Sequence, residues 1–182
     1  MTKIKLFIAT SIDGYIARED GALDWLYAIP NPGQTDHGYA DFYKEIDTVI
    51  MGRTTYEEIL GFGVEWPYPD CQTYVVTSDE FYEVKTPNTS VLNRLKKKTI
   101  EPVKGKSKSN IWVVGGGKII TAFLNLGLID EMLLSIIPTI LGRGIPLFPD
   151  APKETLFELE NAETFETGVV NLIYRGKPNQ KP

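Results

Sequence analysis

The chain has 182 residues, 42% hydrophobic and 24% charged, which suits one globular domain able to bury about two-thirds of its unfolded surface. A formal net charge of −5 disfavours nucleic acid, which is held by broad basic surfaces, and leaves room for a small anion in a local basic pocket. One cysteine, Cys71, and one histidine, His37, exclude an internal disulfide and a Cys/His zinc cluster, so no metal is expected and a reducing cytoplasm is the expected setting.

Residues 1–12 carry Lys3 and Lys5 on an apolar run too short for a secretory leader, and Ile4–Thr10 reads as a first strand. Asp36–Glu45 has a partial apolar face in Tyr39, Phe42, Tyr43 and Ile46 and predicts a helix. Thr48–Met51 predicts a strand. Thr54–Leu60 predicts a helix, with Thr54 and Glu57 at capping-box spacing and Gly61 as its stop. Gln72–Thr77 predicts the next strand, whereas the lysine-rich Arg94–Lys108, around Pro102 and Gly105, reads as a solvated helix end and mobile loop.

Asn110–Val114 predicts a strand and Lys118–Leu126 a helix, with Ile119, Ile120, Phe123 and Leu124 on one face and Gly127 behind it. Met132–Ile137 and Val169–Arg175 predict the last strands. The apolar run Met132–Leu141 is interrupted by Ser135 and Pro138 and falls below the ~20 residues of a membrane span, so a soluble chain is expected. The tail over 177–182, with Pro178 and Pro182, reads as frayed. Several strands are apolar at consecutive positions, which implies burial on both faces. The expectation is a single domain, a three-layer α/β/α sandwich on a central, mostly parallel mixed sheet.

Two glycine turns stand out: Met51-Gly52-Arg53-Thr54-Thr55 and Val113-Val114-Gly115-Gly116-Gly117. Each follows a β-branched run and opens a helix, which is where small residues and unpaired first-turn N–H groups receive an anion. Arg53 could meet a 2′-phosphate through its planar fork while Thr54 and Thr55 offer hydroxyls, or could pair with a surface carboxylate. The triple glycine serves phosphate approach or close helix–sheet packing equally well. Ile120 breaks G-x-G-x-x-G, and no G-x-x-x-x-G-K-[ST] is present, so a Rossmann or P-loop domain is disfavoured. Thr77-Ser78 closes a third strand at the same expected sheet edge, so all three turns could line one crevice.

Ser11-Ile12-Asp13-Gly14-Tyr15-Ile16-Ala17, Leu23-Asp24-Trp25, Met51-Gly52-Arg53-Thr54-Thr55-Tyr56, Val113-Val114-Gly115-Gly116-Gly117, Gly127-Leu128-Ile129-Asp130-Glu131 and Leu141-Gly142-Arg143-Gly144-Ile145-Pro146-Leu147-Phe148 occur in that order. The series closely resembles the dihydrofolate reductase-like superfamily, in particular the reductase domain of bifunctional riboflavin-biosynthesis deaminase-reductases. The resemblance implies NADPH lying across the strand ends and hydride transfer to a C=N bond of a small heterocycle, as in 5-amino-6-(5-phosphoribosylamino)uracil reductase. It also implies a homodimer.

By the same resemblance, Ala9, Thr10 and Ile16 lie near nicotinamide, Gly52, Arg53, Thr54 and Thr55 at the adenosine phosphates, Thr77 and Ser78 at the adenosine, and Gly115, Gly116, Gly117, Lys118 and Ile119 at the pyrophosphate. Asp13 and Gly14 belong to a mobile loop closed by Trp25. Asp36 matches the catalytic carboxylate, with Asp41 second, across a Tyr27–Thr35 loop longer than the family's. An N-cap role is the ordinary alternative for Asp36.

Trp66, among Pro67, Tyr68 and Pro69, either lines a substrate pocket or packs on the core. His37 offers a titrating group or a solvated helix start, and Arg143 a substrate contact or a glycine-marked turn. Residues 36–41 are acidic and aromatic where riboflavin-pathway reductases carry a basic segment, and Asp79 and Glu80 follow Ser78, where they would repel a 2′-phosphate if they faced the pocket. The competing readings are a true dihydrofolate reductase and a non-catalytic NADPH-binding module.

Overall fold

In the computed structural model, which describes residues 1–176, ten strands and four α-helices alternate along the chain. Strands β1 (Ile4–Ser11), β3 (Ile46–Gly52), β4 (Gln72–Val76), β5 (Thr89–Leu92), β6 (Asn110–Gly115), β7 (Glu131–Ile137), β9 (Phe157–Thr164) and β10 (Val170–Gly176) form one sheet in the order β5-β4-β3-β6-β1-β7-β10-β9. The six strands from β5 to β7 are mutually parallel, and β10 and β9 add an antiparallel edge. Two short strands, β2 (Tyr15–Ala17) and β8 (Ile145–Pro146), pair as a separate ribbon.

Helices cover both faces, because alternate strand residues are apolar on each side. On one face, α3 (Lys97–Lys106) and α4 (Gly117–Asn125) bring Ile100, Val103, Ile120, Phe123 and Leu124 against Ile4, Leu6, Ile50, Ile111 and Val113. On the other, α1 (Tyr39–Tyr43) and α2 (Arg53–Gly61) set Phe42, Tyr56 and Ile59 against Phe7, Val49, Met51, Val75 and Trp112. The three-layer α/β sandwich expected from the sequence is therefore the observed one.

The structure corrects three local expectations and adds an edge strand that the sequence did not predict. The lysine-rich stretch folds as α3, because Ile100 and Val103 lie three residues apart and are buried, outweighing the solvated lysines and the interior Pro102. The Asp36–Glu45 helix contracts to five residues, preceded by Gly38 at φ 85°. The Thr54/Glu57 capping box does not form: α2 begins one residue earlier, Gly52 is its N-cap, and Glu57 accepts instead from Arg53 Nε at 2.8 Å. Strand β9 carried no sequence signal, since Phe157-Glu158-Leu159-Glu160 and the residues after it are mostly exposed on an outer edge, where pairing with β10 rather than burial holds them. The tail expected to fray, 177–182, lies outside the described residues.

Among the described residues, no helix is long and apolar enough to cross a membrane.

Candidate functional site

Parallel strands end at a common edge, and three of the turns singled out in the sequence meet there. Met51 on β3 is paired with Gly115 on β6, and Gly52 with Val76 on β4, so Thr77, Gly52 and Gly115 follow one another along that edge. Strand β1 lies on the far side of β6, with Leu6 opposite Val113, which brings Ala9 and Thr10 to the same end. In an open α/β sheet this is the edge where ligands gather.

The two glycine turns touch. A Cβ built on Gly52 would come 3.0 Å from Ile119 Cγ1, and one on Gly116 would come 3.3 Å from Thr55 Oγ1. Both α2 and α4 are nine residues long, and neither N-terminus is capped by a side chain: Gly52 and Gly116 occupy the N-cap positions. The sequence thus leaves two uncapped helix starts side by side at one edge, each with first-turn N–H groups and the positive end of the helix dipole. That is a fit for the two ends of a phosphate-bearing dinucleotide.

Gly117 is closely packed. A Cβ there would sit 2.8 Å from both Pro146 O and Pro149 Cδ, so this third glycine admits the 146–149 segment against α4. Lys118 is exposed in the first turn of α4, and Ile119 is half-buried against the core.

Arg53 is exposed at the head of α2, where Glu57 Oε1 accepts from Nε at 2.8 Å, Asp79 Oδ2 accepts from Nη1 at 3.1 Å, and the guanidinium carbon lies 4.4 Å above the Tyr82 ring. Hydrogen bonding to Glu57 is the main cause holding the guanidinium above its ordinary pKa. Thr54 is exposed and Thr55 half-buried beside Gly116. Beyond β4, Thr77 N–H donates to Leu92 O, Thr77 Oγ1 accepts from Asp79 N–H at 3.2 Å, and Ser78 is exposed.

At the end of β1, the buried Thr10 hydroxyl bonds Tyr15 O at 3.2 Å, closing the strand onto β2. Ile16 packs on the α4-side core. Asp13 braces the intervening loop. It accepts from Ser11 Oγ at 2.6 Å, Leu141 N–H at 3.1 Å and Gly142 N–H at 2.7 Å, with the Ser11 bond the leading cause of a carboxyl pKa below the ordinary value. Trp25, 1% exposed, packs with Ile137 and Val169, and Ala9 and Leu141 close around it. Its Nε1 is buried with no acceptor among the described residues.

The candidate acids sit differently from the turns. Asp36 is exposed two residues ahead of Gly38, the N-cap of α1, and accepts from Ala40 N–H at 2.8 Å and Gly38 N–H at 3.0 Å; these backbone bonds hold its carboxyl below the ordinary pKa. Asp41 is exposed and accepts from Lys44 Nζ at 2.7 Å. Neither is enclosed: Asp36 rests at the surface on backbone N–H groups and Asp41 on Lys44. His37 is tied to the last hairpin, with Nε2 2.8 Å from Thr167 Oγ1 and its carbonyl accepting from Asn171 Nδ2 at 2.7 Å. Trp66 is half-buried in an edge-to-face aromatic cluster with Tyr56 and Tyr68, both 5.3 Å away by ring centroid.

Two features were missed from sequence. The buried Tyr56 hydroxyl accepts from Lys85 N–H at 2.9 Å and Thr86 N–H at 3.1 Å, pinning the loop that carries Tyr82 beneath Arg53; the register of Tyr56 on the inner face of α2 was the available signal. A cleft of about 410 Å³ opens at the opposite, N-terminal strand edge between Gln72, Asn88, Lys106 and Lys108, away from the glycine turns.

Known proteins share this sequence pattern and fold. The sequence profile described as RibD C-terminal domain matches residues 2–171. The uncharacterized protein YwjB of Bacillus subtilis (strain 168) is 39% identical over 168 residues, spanning 92% of this chain and 94% of its own. A crystal structure from Shewanella sp. PV-4, described provisionally as a riboflavin biosynthesis protein, superposes with TM-score 0.87 at 31% identity over 98% of this chain and 100% of that one. Dihydrofolate reductase from Enterococcus faecalis, complexed with NADP(H), shares the fold with TM-score 0.68 at 18% identity over 97% of each chain. The chain belongs to the RibD C-terminal domain family, built on a dihydrofolate reductase-like α/β fold.

Proposed function

We propose that the protein is an NADPH-dependent reductase that transfers hydride to a C=N bond of a small heterocycle, chemically similar to the aminouracil reductase step of riboflavin biosynthesis. The observation that carries the reading is the pair of uncapped helix N-termini at Gly52 and Gly116, in contact through Thr55, with Arg53 at the outer end. Gly52, Arg53, Thr54 and Thr55 would hold the adenosine phosphates, Gly115, Gly116, Gly117, Lys118 and Ile119 the pyrophosphate, and Thr77 and Ser78 the adenosine. When bound, the nicotinamide supplies the hydride.

The chain's own residues position and enclose. Ala9 and Thr10 at the end of β1 form the floor, and Asp13 fixes the covering loop to residues 141–142. Trp25 fills the space beneath that loop and keeps water out of it. Hydride addition to an imine carbon also requires a proton at nitrogen. Its source is either Asp36, whose exposed carboxylate accepts from two backbone N–H groups, or solvent.

Steady-state assays of NADPH oxidation test the reading with a ribosylaminouracil-type acceptor and, in parallel, dihydrofolate. Turnover of the aminouracil class supports it. Turnover of dihydrofolate alone favours a true dihydrofolate reductase, and binding of NADPH without oxidation by any acceptor favours a sensing module.

A further inference from the structure

Arg53, the cation at the adenosine end of the crevice, is already engaged by acids from two elements. Glu57 lies one turn along the same helix and accepts from Nε. Asp79 comes from the loop beyond β4 and accepts from Nη1 at 3.1 Å. Asp79 is itself held in place: its Oδ1 accepts from Phe81 N–H at 3.0 Å, its N–H donates to Thr77 Oγ1 at 3.2 Å, and its carbonyl accepts from Asn93 Nδ2 at 3.2 Å. Tyr82 covers one face of the guanidinium. The carboxylate is thus fixed by its own turn and is not a free surface partner of the arginine.

A 2′-phosphate reaching this arginine must displace Asp79 from Nη1 or lie beside its negative charge. A ribose 2′-hydroxyl meets no such conflict, because a carboxylate accepts a hydroxyl hydrogen bond. We propose that Asp79 is a specificity-determining residue that competes with the 2′-phosphate for Arg53, narrowing the preference for NADPH over NADH. The proposal rests on the dinucleotide reading above and adds to it the residue that sets cofactor choice.

Neutralising Asp79 removes one half-exposed charge beside a dianionic phosphate, so Asp79→Asn tightens NADPH by about 3- to 10-fold while NADH changes by less than about 2-fold. Side chains at this pair are 43% exposed, so the substitution leaves the core untouched. The test is calorimetric titration of wild type, Asp79→Asn and Arg53→Ala with NADPH and with NADH. Tighter NADPH binding in Asp79→Asn alone, with Arg53→Ala losing NADPH affinity selectively, supports the proposal. Equal NADPH affinity in wild type and Asp79→Asn overturns it while leaving the dinucleotide site standing. Binding of neither nucleotide by any of the three proteins overturns the site and the proposal together.

Discussion

Gly116 and Thr55 meet between two helix starts: a Cβ on Gly116 would stand 3.3 Å from Thr55 Oγ1, in the gap between the N-termini of α4 and α2. No backbone atom is that near, so Thr55 can rotate aside and the fold can accept alanine at this position. A methyl group there stands where a phosphate would approach the α4 N-terminus. Gly116→Ala is therefore expected to weaken NADPH binding by about 1.5–3 kcal/mol, the range of a lost hydrogen bond to a charged group, with a melting temperature near wild type. Calorimetry paired with thermal unfolding checks it, and a large loss of stability with unchanged affinity would contradict a phosphate role.

Lys5 is buried on β1, and its ammonium lies 2.6 Å from Glu45 Oε2 and 2.8 Å from Glu131 Oε1. Burial pulls the lysine pKa down, but the bonds to Glu131 and Glu45 outweigh it and leave the value raised. Burial likewise pushes Glu131 up, and the bonds from Lys5 and Lys3 outweigh it, so its carboxyl lies below the ordinary 4.5. A depressed carboxylate contributes stability above its unfolded pKa and loses it as pH falls through the folded value. Wild type should lose stability below about pH 4.5 through this group, and Glu131→Gln should be less stable by about 1–3 kcal/mol at neutral pH with a shallower acid limb. Urea unfolding across pH measures both.

Asp36 holds the start of α1 through Gly38 and Ala40 N–H groups. Losing side-chain bonds to N–H groups at a helix start costs about 0.5–2 kcal/mol, so Asp36→Ala should unfold at lower denaturant. A general acid contributes about 100-fold or more to rate, whereas a capping residue leaves turnover per folded molecule within about 10-fold. Turnover of Asp36→Asn and Asp36→Ala, normalised to folded protein, distinguishes the roles: a loss beyond that limit makes Asp36 the proton source, and a smaller one leaves the proton to solvent.

Much of the fold was legible because the strands that build the parallel sheet are buried on both faces and so spell continuous apolar runs, as in Val49-Ile50-Met51 and Ile111-Trp112-Val113. Strand β9 was not, because an edge strand is held by backbone pairing that leaves its glutamates in water. Helix α3 was hidden for a related reason: only Ile100 and Val103 turn inward from a lysine-rich surface. The glycine turns were legible as positions, but their contact through Thr55 depends on the pairing of β3 with β6, which no local motif encodes. Asp79 was visible as a charge after Ser78, and only the fold of its loop shows that it reaches Arg53.

The most direct measurement is calorimetric titration of the purified protein with NADPH, with NADH in parallel. The two uncapped helix starts predict saturable NADPH binding at micromolar affinity or tighter, one dinucleotide per chain. A folded protein that binds neither nucleotide would contradict the crevice as a cofactor site and remove the reductase assignment.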